Sequence, residues 1–277
     1  MSSEGEPIIE VRNLVARYGE RTVLDDVSFD VRRGETFVIV GGSGSGKTTL
    51  IRNLVGLMRP AEGHIRIAGR AFSEMSEDEQ TELRTRIGVC FQASALFKSM
   101  TVGDNVALAL REHTDLEPST IDIMTTIKLE LVGLGGFEDY MPSELSGGMM
   151  KRAGIARAMA MDPEIIVYDE PSAGLDPIVA AGIDQLIRKL QHTFELTSIV
   201  VTHEMESVKL IADRVCMLEK GRVAGIGTLE ELQRSEHPYI RRFLAREAED
   251  EPAADGSYAR SLTRPDGTGE DDGSHEN

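Results

Sequence analysis

Gly41-Gly42-Ser43-Gly44-Ser45-Gly46-Lys47-Thr48 is the stretch that decides how this chain is read. It matches the P-loop pattern G-x-x-x-x-G-K-[ST]. Its setting is the one the pattern requires: strand-like Thr36-Phe37-Val38-Ile39-Val40 leads into it, and helical spacing (Leu50, Ile51, Leu54, Val55) follows. In such a loop glycines let backbone N–H groups converge on phosphate oxygens, and the helix N-terminus adds positive potential. Lys47 is placed to reach the β- and γ-phosphates and Thr48 to offer its hydroxyl to Mg²⁺. A merely flexible Gly/Ser turn has no need of Lys-Thr at a helix entry.

With 277 residues, the chain can bury a substantial core as one large α/β domain or two modest ones. It has no apolar run long enough to span a bilayer, which takes roughly 20 residues. Met1–Pro7 lacks the basic and apolar regions of a secretory signal, so none is expected. Cys90 and Cys216 lie in apolar runs and are expected to be buried thiols in strands, which fits the cytosol. The net charge is −17, of which residues 247–277 contribute 10 acidic and 2 basic side chains. An acidic surface opposes unassisted binding to nucleic acid or anionic lipid, so any membrane association is expected to run through a protein partner.

Along the chain, residues 8–40 read as strands with turns at Tyr18-Gly19 and Arg33-Gly34. A helix is predicted from the loop to about Leu57. A strand pair follows near His64–Ile67 and Ile87–Gln92, then helical segments over 100–134 and Ser146–Met161. Strand-like Ile165–Tyr168 and Ser198–Val201 alternate with helices near 178–192 and 204–212. That alternation predicts a largely parallel sheet with helices on both faces. Two short helical segments follow Gly227. The second, within 236–247, is amphipathic, with Tyr239, Ile240, Phe243 and Leu244 on one side. Residues 248–277, rich in Glu, Asp, Gly, Pro and Ser, are expected to be disordered.

Two further stretches carry chemistry. Ile165-Ile166-Val167-Tyr168-Asp169-Glu170 is an apolar strand ending in two carboxylates. In a P-loop sheet, Asp169 sits where an acid supports Mg²⁺. Glu170, one residue on, can face a water attacking the γ-phosphate. Leu145-Ser146-Gly147-Gly148-Met149 opens a helix with a good N-cap serine and two glycines that leave N–H groups open to an anion. Ser146 stands 23 residues before Asp169.

These motifs together resemble the ATP-binding-cassette (ABC) ATPase family over roughly residues 8–235, in the family's order. The resemblance implies an α/β fold: a cassette with a RecA-like mixed-sheet core, an antiparallel β subdomain and a helical signature subdomain at about 93–160. It further implies that Tyr18 stacks on adenine and that Gly41, Gly42, Ser43, Gly44, Ser45, Gly46, Lys47, Thr48 and Thr49 hold the phosphates of ATP. Thr48, Gln92 (the Q-loop) and Asp169 would hold Mg²⁺. Glu170 would be the catalytic base, assisted by Gln92 and by the switch histidine His203 in Val201-Thr202-His203-Glu204. Ser146, Gly147 and Gly148 are the signature residues, and Asp176 closes the D-loop Ser172-Ala173-Gly174-Leu175-Asp176. Taken singly, Tyr18 could be a half-buried strand residue, Gln92 a polar strand end and Asp176 only a helix cap. With one P-loop and one signature in the chain, the active unit is expected to be a homodimer or a heterodimer with a related chain. ATP would sit between the loop of one protomer and the signature of the other.

Met141–Met149, and Leu96-Phe97-x-x-Met100-x-Val102-x-Asp104-Asn105-Val106 continuing to Leu110–Thr114, resemble the ATPases of Mla and toluene-tolerance (MCE-type) phospholipid transporters. This implies a homodimer on the cytoplasmic face of the inner membrane, bound to permease subunits and an MCE-domain substrate-binding protein, with a small regulatory subunit as a further possibility. No nucleic-acid partner is implied. Ala95, Leu96, Phe97 and Met100 are apolar enough to receive a permease helix. Two features depart from the pattern: Gly42 and Ser45 make the loop glycine- and serine-rich where the subfamily often has Pro at the second position, and the acidic tail is not shared. Cassettes serving amino-acid or drug transport, and soluble ATPases serving assembly scaffolds, are the competing readings.

Overall fold

The computed structural model describes residues 7–247, so the expected acidic tail at 248–277 lies outside the described residues. β1 (Pro7–Tyr18) and β2 (Arg21–Arg32) form a long antiparallel hairpin. A second sheet is built on β3 (Thr36–Gly41), the strand that runs into the glycine loop. Helix α1 (Lys47–Leu54) follows the loop. β4 (Glu62–Ile67) and β5 (Arg70–Ala71) then return to the hairpin and complete a four-stranded sheet in the order β2-β1-β4-β5.

After α2 (Glu77–Thr85) the chain re-enters the second sheet as β6 (Ile87–Cys90). Three helices follow: α3 (Val102–His113), α4 (Pro118–Leu131) and α5 (Gly147–Ala158). β7 (Ile165–Asp169), α6 (Pro177–Phe194), β8 (Thr197–Val201), α7 (Met205–Ile211), β9 (Arg214–Glu219) and β10 (Arg222–Gly227) finish the sheet, whose order is β10-β9-β3-β8-β7-β6. Only β10 runs antiparallel in it. Helices α8 (Leu229–Gln233) and α9 (Pro238–Ala245) close the described chain.

β3 is buried at every residue, as a central strand covered on both faces must be. Its side chains alternate between two cores. Val38 and Val40 enter the one built with the helices, and Phe37 and Ile39 enter the one shared with the antiparallel sheet and α1. Each fully buried Val, Ile or Leu contributes about 1.5–3 kcal/mol relative to exposure. The two sheets are joined by Phe29 stacked on Phe37, with ring centroids 5.3 Å apart. Cys90 and Cys216 are free and buried, as expected. Because β3, β6, β7 and β8 are parallel, the loops that follow them all leave from one edge of the sheet, where ligands of open α/β sheets bind.

Three elements differ from the sequence reading. α1 stops at Leu54 rather than about Leu57, because Gly56 turns left-handed (φ 70) and the N–H groups of Leu57 and Met58 both fold back onto the carbonyl of Arg52. β4 and β6 are not a pair. β4 is antiparallel to β1 in one sheet and β6 is parallel to β7 in the other. The 100–134 segment is two helices, interrupted before Pro118, which occupies the first position of α4.

Candidate functional site

The glycine loop is fixed by its surroundings. Gly46 caps α1 at φ 103, and a Cβ there would lie 2.5 Å from Leu24 Cδ2, so both backbone and space demand glycine. Lys47 opens the helix and turns back over the loop, its Nζ donating to the carbonyls of Gly41 (2.7 Å) and Gly42 (3.1 Å). Burial pulls its pKa down, while Glu170 and Asp169 support the charged form. Ser43, Gly44 and Thr48 face solvent, whereas Ser45, Gly46 and Thr49 are buried.

β7 delivers the two carboxylates. Asp169 remains in register with Val201, and the N–H of Glu170 donates to the Val201 carbonyl at 2.8 Å. Glu170 itself is left-handed (φ 50), a conformation that costs a non-glycine residue about 1–3 kcal/mol and that clusters at functional sites. The turn aims its carboxylate at His203, whose Nδ1–H donates to both oxygens at 2.9 Å. The Glu170 side chain is 12% exposed and that of His203 61%, so the pair bridges interior and solvent. Burial raises the pKa of Asp169, the neighbouring Glu170 charge raises it further, and Lys47, Lys151 and Arg52 oppose the rise.

Gly41, Gly42, Ser43, Lys47, Glu170 and His203 line one cavity of about 660 Å³, closed on another side by Met205 and by Arg242, Phe243, Arg246 and Glu247 at the C-terminal end of the described chain. The structure thus unites the loop, the acid after β7 and the histidine after β8. Tyr18, Gln92 and the residues Ser146, Gly147, Gly148 and Asp176 do not line this cavity. Tyr18 is half-exposed at the end of β1. Its hydroxyl is held by Arg52 (3.0 Å) and Thr49 on α1, and both hydrogen bonds lower its pKa. Its ring therefore stands beside the helix that starts at the loop. Thr49, expected among the phosphate-binding residues, is buried and also holds the Tyr18 hydroxyl.

Gln92 is exposed just beyond β6. Its carbonyl accepts from Lys151 Nζ at 2.6 Å, and the same ammonium donates to the Glu170 carbonyl at 3.0 Å. Lys151 lies on α5, so one cation ties the signature helix, the Q-loop and the strand end that carries Glu170. Sequence pattern alone assigns Lys151 no task. Desolvation lowers its pKa, against support from Cys90 and from the Glu170, Asp169 and Glu204 charges. The next segment is stapled by fully buried Asn105. Its side chain accepts from Phe97 N (2.7 Å) and donates to the carbonyls of Phe97 and Thr101. Phe97 is 46% exposed, with the Arg157 guanidinium 5.1 Å from its ring centroid.

Ser146 caps α5, its Oγ accepting from Met149 N at 3.3 Å. Ser146 and Gly147 are exposed. Gly148 is buried, and a Cβ there would sit 2.5 Å from Val179 Cγ1 on α6. Asp176 caps α6, accepting from Ile178 N and Val179 N at 3.1 Å each. A polar chain supports the D-loop from below: Ser172 Oγ meets Glu204 (3.3 Å) and Ser207 (3.4 Å), and Ser207 donates to Asp184 at 2.8 Å.

The residues fit a triphosphate: a left-handed glycine cradle, a desolvated lysine and a helix N-terminus converge where Glu170 can meet a water. The exposed Thr48 hydroxyl, the Gln92 carboxamide and the Asp169 carboxylate are oxygen donors suited to a hard divalent cation. No cluster of three or more His, Cys, Asp or Glu able to hold a metal occurs among the described residues.

Comparison with known proteins agrees with this geometry. The ABC transporter family profile matches residues 24–173. The "Intermembrane phospholipid transport system ATP-binding protein MlaF" of Haemophilus influenzae is 42% identical over 242 residues, 87% of this chain and 92% of that protein. The "Probable ribonucleotide transport ATP-binding protein mkl" of Mycobacterium leprae is 43% identical over 236 residues, 85% of this chain and 68% of that protein. Among solved structures, the dimeric post-hydrolysis state of the cassette MJ0796 with ADP and Pi superposes with a TM-score of 0.73 at 30% identity. It covers 80% of this chain and 98% of that one. CbiO1 of Clostridium perfringens, part of the transporter complex cbiONQ, gives 0.76 at 28% identity, covering 88% and 100%. From its phosphate loop, its paired strand-end carboxylates and these similarities together, the chain belongs to the ABC transporter family, as an ATP-binding cassette ATPase.

Proposed function

We propose that this chain is the ATP-hydrolysing subunit of an inner-membrane transporter that moves phospholipid between membranes. The observation that carries the reading is the 42% identity to the H. influenzae phospholipid-transport protein along 92% of that protein's length. The relative named for ribonucleotide transport is matched over a smaller share, 68%. No helix among the described residues is long and apolar enough to cross a membrane. In this reading the cassette reaches the bilayer through permease subunits, with the exposed Phe97 face as the docking surface, and an MCE-domain protein presents the lipid.

In this reading Gly41–Thr49 bind the phosphates, Tyr18 stacks on adenine, and Ser146, Gly147 and Gly148 complete the site of a second copy, with Asp176 at the seam. Mg²⁺, held by Thr48, Gln92 and Asp169, would neutralise charge developing on the phosphates. Glu170 takes the proton of the attacking water at its carboxylate. The His203 Nδ1–H bonds hold that carboxylate in place. Lys151 fixes the two backbone segments that bring Gln92 and Glu170 together.

The test is to purify the tagged chain from its native membranes and identify bound proteins and lipid. A multi-span permease, an MCE-domain protein and phospholipid are expected. A permease that binds free nucleotides or amino acids, or a soluble scaffold as the sole partner, overturns the lipid assignment.

A further inference from the structure

The hydroxyl of Tyr239, in the first turn of α9, lies in the hydrogen-bonding path of the phosphate loop. It accepts from the backbone N–H of Gly42 at 3.1 Å and donates to the Leu218 carbonyl at 3.1 Å. Gly41 and Leu218 are the last paired residues of the β3–β9 ladder. Past that point β3 peels away into the loop, and the Gly42 N–H has left its sheet. The tyrosine hydroxyl takes the place of a missing strand and bridges the two chains where the ladder opens.

The residue is well placed to hold that position. Tyr239 is 8% exposed, its ring lies 5.8 Å from that of Phe243, and Ile240 beside it packs so closely on β10 that a Cβ at Gly225 would meet Ile240 Cδ1 at 2.7 Å. One turn further on, Arg242 faces the same cavity as Lys47 and Glu170. A Cβ added at Gly42 meets nothing nearer than the Tyr239 hydroxyl, at 3.8 Å.

We propose that Tyr239 is a positioning residue for the phosphate loop, setting the direction of the Gly42 amide, so that the seating of α9 tunes nucleotide affinity from within the same chain. The proposal rests on the loop being the nucleotide site. It also excludes proline at position 42. A proline there would have no N–H to donate, and its Cδ would occupy the line between N and the hydroxyl, where 3.1 Å leaves no room for a methylene. The same proline opposite a phenylalanine would meet no hydroxyl.

The experiment measures binding of a fluorescent ATP analogue to the full chain and to Y239F, G42P and the double variant G42P/Y239F, with thermal unfolding alongside. Y239F is expected to weaken binding by about three- to tenfold through loss of the hydroxyl that joins the Gly42 N–H to the Leu218 carbonyl. G42P alone should bind worse than Y239F, and adding Y239F to it should restore affinity rather than lower it further. A tyrosine that serves only to anchor α9 gives losses that add. Additive losses, or unchanged affinity in Y239F, overturn the proposal. Should G42P fail to fold, Y239F is read with its melting temperature: weaker binding at an unchanged melting temperature supports the proposal, and weaker binding that comes only with a lowered one overturns it. K47A is the separate control: unchanged affinity in K47A would remove the nucleotide site itself, a different failure from that of the tyrosine.

Discussion

Glu170 combines a left-handed backbone, a carboxylate gripped by His203 and a carbonyl gripped by Lys151. E170Q keeps the shape and removes the base. ATP turnover should fall by at least about 100-fold, with nucleotide binding retained. Undiminished hydrolysis would take Glu170 out of the base role. K151M removes the ammonium that joins Gln92 to Glu170 and leaves the loop untouched. We expect kcat to drop by about tenfold with little change in KM, the pattern of an interaction made chiefly in the transition state. A rise in KM at constant kcat would place Lys151 in ground-state binding. The motif residues were legible because each motif is contiguous and carries its own chemistry. Lys151, Arg52 and Tyr239 were not, because each acts on a partner 59, 34 or 197 residues away, through a side chain that local pattern assigns to a helix surface or an apolar face.

Among the elements, the central strands were readable from uninterrupted apolar runs, and α6 from its Asp-Pro start. α2 was not, because only Leu83 of its nine residues is buried and no apolar stripe betrays it. Its one legible mark is the capping box of Ser76 and Glu79, with the Ser76 N–H donating to the Glu79 carboxylate at 2.8 Å. Strand pairing was also hidden, because neither β4 nor β6 carries in its own residues the identity of its partner, β1 for the one and β7 for the other. The start of the β6–β7 pair is clipped by Glu164, which accepts from Arg33 and from Arg86 Nε at 2.8 Å each. Those hydrogen bonds hold its pKa below the ordinary 4.5. The depressed pKa in the folded state means that the stabilisation is present at neutral pH and is lost as pH falls through the acid range. E164Q should therefore unfold at lower temperature at pH 7, by less than about 3 °C given the 36% exposure of the side chain, and the gap should narrow as pH falls through the acid range. A gap that persists at low pH would show a packing effect instead.

For the molecule as a whole, the decisive arrangement is that the cavity holding Lys47, Glu170 and His203 contains none of Ser146, Gly147 or Gly148, although the signature serine and its neighbouring glycine are exposed. If those residues serve a second copy, S146R and K47A should each lack ATPase activity alone and regain measurable activity when mixed. In the mixed dimer the loop of the S146R chain faces the intact signature of the K47A chain. Failure of every mixture to recover activity, with dimers present by light scattering, would sink the shared-site arrangement. F97E tests the other surface: it should bind ATP normally and lose the permease on purification.

The two buried cysteines have a practical consequence. They are the chain's full complement of thiols, and burial pushes both up to about 12, far from the thiolate form at the pH of maleimide labelling. A cysteine introduced anywhere on the outside is thus addressable by a dye or bifunctional reagent in the otherwise native sequence. Opposing faces of two protomers could be mapped by spin label or fluorophore pair without first stripping the protein of its own sulfur.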